Sequence, residues 1–157
     1  MVVVKLGIDM PLKLKLVALI TTVALSAACG ASAGGPPEIV VDRTACSHCG
    51  MLISEPLYAA AYRMPEKDAR VFDDIGCLRD AARTETGPLT TWFHDANDRA
   101  WIDGTAAVFV ASPEIRTPMG GGLIAFRDRA AAERAAATRH GRVIDSLADL
   151  LSDKGEQ

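Results

Sequence analysis

No apolar run in this chain is long enough to cross a bilayer as a helix: residues 16–28 form an uncharged run of 13, where about 20 are needed. A second cysteine pair is also missing, so Cys46 and Cys49 lack the partner pair that usually closes a four-ligand zinc site. Neither a Ser-His-Asp order nor a phosphate-cradling glycine loop occurs, which removes common hydrolase and nucleotide-binding arrangements. Positive charge is short as well. Three of the 17 basic residues and one of the 20 acidic ones lie in residues 1–28, so the remainder carries a net charge of about −5 and is a poor match for nucleic acid.

The segment before residue 29 reads as a secretory signal peptide. Lys13 and Lys15 stand ahead of the apolar run, which ends in Leu25-Ser26-Ala27-Ala28-Cys29. Small residues before a cysteine are the pattern of lipoprotein processing, with Cys29 as the lipidated first residue. Read from Met10, the segment is a more compact signal that leaves out Asp9. The expected organisation is a signal peptide over 1–28, a lipid-anchored flexible tether over 29–38, rich in Ala, Ser, Gly and Pro, and a folded part starting near Ile39. The expected place is the cell envelope, on the outside of the cytoplasmic membrane or in the periplasm.

Against this background one loop stands out. Cys46-Ser47-His48-Cys49-Gly50-Met51 gathers two thiols, an imidazole and a thioether in six residues. Sulfur donors favour Cu(I), Zn(II) and similar soft ions over Mg(II) or Ca(II), and a thioether tilts the preference towards Cu(I). With Cys29 committed to lipid, Cys46, Cys49 and Cys77 remain, an odd number in an exported chain. The pair reads equally well as a disulfide or as metal ligands, and Cys77 reads as a small core residue opening an apolar helix face. A thioredoxin-like role fits less well, because that chemistry sets the pair at a helix start, whereas here Gly50 and Pro56 interrupt the chain just after the pair. His94 and His140 stand alone and read as satisfied or surface histidines.

Local patterns predict strands over 57–63 and 70–74 joined by a turn, a helix over 75–84 capped by Asp74, and strands over 89–94 and 100–103. A second round comes after them: strands over 107–111 and 123–126, an alanine-rich helix over 129–139 and a strand over 142–146. The expected class is α+β, with two related ββαβ units over 39–105 and 106–157, each with a small antiparallel sheet. Adjacent Asp73 and Asp74 read as caps of the helix that begins at Ile75.

Between the strands of the second round lies Thr117-Pro118-Met119-Gly120-Gly121-Gly122. Glycines permit positive φ and close backbone approach, so this bent loop can present the Met119 sulfur. Packing under a turn would leave the same sequence trace.

The ordered set CSHCGM at 46–51, VFDDIGC at 71–77, Trp101-Ile102-Asp103, TPMGGG at 117–122 and IAF at 124–126 resembles the NosL family of copper-binding lipoproteins across nearly the whole mature chain. The resemblance implies an exported, lipid-anchored Cu(I) chaperone, not an enzyme. Its partners would be a copper donor and a copper recipient, namely nitrous oxide reductase with its catalytic copper–sulfide cluster and maturation machinery. Carried over by position, the metal ligands are Cys49, then Met119, Met51, Cys46 and His48. Few soft ligands leave room for an incoming donor, so metal can pass by ligand exchange. Competing readings are an envelope thiol oxidoreductase needing Cys46 and Cys49 but not Met119, a general copper or soft-metal binding protein serving another recipient, and an enzyme on organometal substrates needing Cys49, a second thiol and an Asp.

Overall fold

The computed structural model describes residues 34–153. The expected signal peptide at 1–28, Cys29 and the first part of the tether lie outside the described residues; within 34–38 there is no helix or strand. Among the described residues no helix is long and apolar enough to cross a membrane. The described residues from Pro36 to Asp153 form one compact unit.

The unit is α+β, built on two small antiparallel sheets. In the first, β1 (Ala60–Arg63) is central, between β2 (Arg70–Phe72) and β3 (Thr90–His94), and β4 (Trp101–Asp103) extends the β3 side. In the second, β5 (Val108–Ala111) is central, between β6 (Leu123–Phe126) and β7 (Arg142–Ile144). Helix α1 (Ile75–Ala82) follows β2, α2 (Arg129–Thr138) follows β6, and α3 (Leu147–Ser152) closes the described chain. Strand, strand, helix, strand therefore occurs twice, each time with the first strand in the middle.

Element ends move from their expected places for identifiable reasons. Pro56 fixes φ and has no N–H to donate, so Pro56–Tyr58 forms a 3-10 turn and β1 begins only at Ala60. β2 stops at Phe72 because Asp74 leaves the ladder to cap α1, accepting from the Gly76 N–H at 2.6 Å. β7 stops at Ile144 because Ser146 caps α3, its hydroxyl accepting from the Asp149 N–H at 3.1 Å. Local pattern predicts a strand across that stretch and no third helix, since a helix of six residues shows too little of the 3.6-residue period to stand out.

One core joins the sheets. Register places Ala60 opposite both Phe72 and Phe93, and Phe109 opposite both Ala125 and Ile144. Phe93 and Phe109, from different sheets, meet edge to face with centroids 4.8 Å apart. Leu78, Phe72 and Leu123 complete this shared interior. The alternate residues of the second sheet, Val110, Ile124 and Phe126, pack instead against Ala132 and Ala136 of α2. That sheet is thus covered on both faces, which explains why β6 is buried along its length. A parallel bridge between Asp95 and Ala125 ties the sheets at their edges.

Candidate metal centre

The cysteine loop is shaped by its own backbone. Ala45 and Leu52 bridge antiparallel at its neck, the Cys46 N–H donates to the Met51 carbonyl at 2.8 Å, and the Gly50 N–H donates to the Cys46 carbonyl at 3.0 Å. Gly50 takes φ +78°, a conformation that side chains other than glycine's resist. The loop is also fastened to β2. Ser47 N–H donates to the Val71 carbonyl at 2.8 Å, and the Arg70 guanidinium donates to the Ser47 carbonyl at 2.9 Å. Arg70 is itself held by Glu85 at 2.9 Å and the Tyr62 hydroxyl at 2.7 Å. Burial, reinforced by the Glu85 hydrogen bond, pushes the Tyr62 phenol up to about 12, so it remains a proton donor at neutral pH.

This scaffold turns Cys46 inward and leaves Cys49 half-buried. Two further donors meet them: Asp73, just past the end of β2, and Cys77, in the first turn of α1. Sulfur or oxygen atoms of Cys46, Cys49, Asp73 and Cys77 all lie within 4.8 Å of one another. Among the described residues Cys46, Cys49 and Cys77 are free thiols. The Cys49 thiol donates to Asp73 Oδ1 at 3.5 Å.

Electrostatics in the cluster favour a cation. Burial is the largest effect raising the Cys49 thiol above its ordinary range, with Cys46 and Asp73 adding to it. Burial also drives Cys77 far upward, again helped by the neighbouring thiols and Asp73. Without a counter-charge the Cys49 and Cys77 sulfurs therefore keep their protons; a bound ion reverses the sign of that interaction and releases them. Asp73, only 1% exposed, leaves Oδ2 buried without a geometrically sound hydrogen bond. A buried acceptor left over in this way costs about 1–3 kcal/mol, and an ion among the sulfurs would supply its missing partner. Three sulfurs suit a soft monovalent ion, and with Asp73 the donors number four, enough for a tetrahedral ion such as Zn(II).

The expected ligands are thus placed unevenly. Cys46 and Cys49 come together, joined by two groups read as a core residue and a helix cap. Cys77 is indeed part of the core, yet its sulfur also faces the pair. Asp74 does cap α1, whereas Asp73 does not. Met51 and Met119 are 51% and 46% exposed, at the end of the cysteine loop and on the glycine-rich loop. His48 is exposed, and with Met119 and Cys77 it lines a cleft of about 840 Å³. The chain offers no second cysteine pair for a closed site; the fold supplies a carboxylate and a third thiol from positions 24 and 28 residues beyond Cys49, respectively. The signal available in the sequence is the odd thiol in a chain with one pair. Of the isolated histidines, His94 is buried, bonded through Nδ1 to the Ala59 carbonyl at 3.0 Å and stacked on Trp101. His140 is exposed and bonds Glu114 at 2.8 Å.

Fold and site together define a small α+β protein with a cysteine-rich candidate metal centre. The NosL family model matches residues 37–153, and the chain belongs to the NosL family. It is similar in fold to the crystal structure of the copper chaperone NosL from Shewanella denitrificans, with a TM-score of 0.61 at 18% identity, covering 73% of this chain and 98% of that one. No protein with a curated description matches it in sequence.

Proposed function

We propose that this chain is an envelope Cu(I) chaperone that holds copper at its thiol cluster and passes it to nitrous oxide reductase for the copper–sulfide cluster. The observation that carries the metal-binding part is the convergence of three thiols and a carboxylate within 4.8 Å. Membership of the NosL family and the fold shared with the Shewanella copper chaperone support copper as the cargo. The recipient and the lipid anchor rest on the sequence resemblance and on the Cys29 motif.

A redox role is less well supported by the same geometry. An attacking cysteine is activated by a lowered pKa, near a cation or a helix N-terminus. Cys49 sits in a turn beside a carboxylate, and its pKa is raised.

Anaerobic titration with Cu(I) against a competing chelator tests the reading. One tight equivalent is expected, weakened at least roughly tenfold by Cys49→Ala and also by Met119→Ala. Loss with cysteine substitutions alone would remove Met119 from the ligand set, and no tight binding at all would return the pair to disulfide chemistry. For the anchor, Cys29→Ala is expected to move the protein from the membrane fraction to the soluble one; unchanged partition would end the lipoprotein reading.

A further inference from the structure

We propose that Asp74 is a positioning residue whose carboxylate clasps the Met119 loop to the start of α1 and so fixes where the Met119 sulfur is presented. This rests on the reading of Met119 as a copper ligand.

Capping a helix requires one carboxylate oxygen, and Asp74 uses both. Oδ1 accepts from the Gly76 N–H at 2.6 Å. Oδ2 accepts from the Thr117 hydroxyl and from the Met119 N–H at 3.2 Å. Thr117 in turn accepts from the Gly122 N–H at 3.3 Å, so one fully buried carboxylate organises both ends of the loop. The approach is close enough to demand glycine. A Cβ on Gly121 would stand 2.6 Å from Asp74 Oδ1, and one on Gly76 would stand 2.9 Å from that oxygen and 3.6 Å from Gly121 Cα.

Burial does not do this work instead, because the Met119 side chain is 46% exposed and its place is set through its backbone. The neighbouring carboxylate, Asp73, lies among the thiols. Consecutive Cα atoms are about 3.8 Å apart, so the adjacent aspartates hold the sulfur cluster and the methionine loop in a short, fixed relation. Groups that orient ligands without touching the metal typically change affinity by roughly 10- to 100-fold.

A double-mutant cycle on the intact protein reads this directly, with Cu(I) affinity measured by anaerobic chelator competition for Asp74→Asn, Met119→Ala and the pair. Asparagine keeps an acceptor for the Gly76 N–H and preserves the cap, but the NH2 it then turns to the loop accepts from neither Thr117 nor Met119. Each single change is expected to weaken binding roughly tenfold, and the double variant should be no weaker than Met119→Ala alone, since the two act through one contact. Thr117→Val, which removes the hydroxyl while nearly keeping shape, should show the same non-additivity and guards against misfolding of the Asp74 variant.

Losses that multiply would show Asp74 acting elsewhere and overturn the inference, as would unchanged affinity in both Asp74→Asn and Thr117→Val. Unchanged affinity in Met119→Ala alone would instead remove the ligand reading, and the inference with it.

Discussion

A Cys77→Ala variant is expected to bind Cu(I) about a hundredfold more weakly than the parent while the metal-free protein loses only a few degrees of thermal stability. The two quantities separate because the side chain has two roles. As a core residue it is small, and removing its sulfur leaves a void that costs about 1 kcal/mol. As a donor it supplies one of three sulfurs within 4.8 Å, placed by the first turn of a helix that Asp74 caps. The other two thiols come from a single loop, so without Cys77 the cluster loses its one thiol from outside that loop. Chelator competition gives the first quantity and a melt of metal-free protein the second. The same fall in stability with copper affinity intact would make Cys77 packing and nothing more.

The largest effect on stability is expected from Phe109→Ala, which should cost about 3–5 kcal/mol, a large share of the roughly 5–15 kcal/mol that holds a typical domain together. Phe109 is fully buried, lies mid-sheet between Ala125 and Ile144, and meets Phe93 of the other sheet edge to face. Both tryptophans, Trp92 and Trp101, belong to the first sheet, whereas Phe109 belongs to the second. Tryptophan fluorescence during denaturant unfolding therefore asks whether the sheets unfold as one. A midpoint that drops with the substitution, in a single transition, is the expected result. A tryptophan signal indifferent to Phe109 would mean that the halves are separate folding units.

Much of this architecture is legible from local pattern. Strands such as Thr90–His94 and Leu123–Phe126 and the helix Arg129–Thr138 fall within a residue or so of where alternation, spacing and caps put them. The short closing helix is illegible because six residues make fewer than two turns. In the site, the Cys46 and Cys49 pair announces itself by spacing. Asp73 and Cys77 do not, because a helix cap and a core cysteine look the same in one dimension whatever they face in three. Even the doubled aspartate, visible as a motif, gives no sign of which carboxylate goes to the helix and which to the sulfurs. That division is decided by the backbone turning out of β2 at Asp73, after the last ladder pair at Phe72.

The fastening of the cysteine loop bears on how the empty protein meets its cargo. Backbone bonds at its neck, the positive φ of Gly50 and the Arg70 contact to Ser47 confine the chain at the moment of folding, when the loss of conformational freedom is offset by the whole interior. Capture then begins from an ordered receptor and loses little further entropy. Loading is therefore expected to leave the backbone outline of this loop unchanged, so that what metal adds there is charge rather than a new shape.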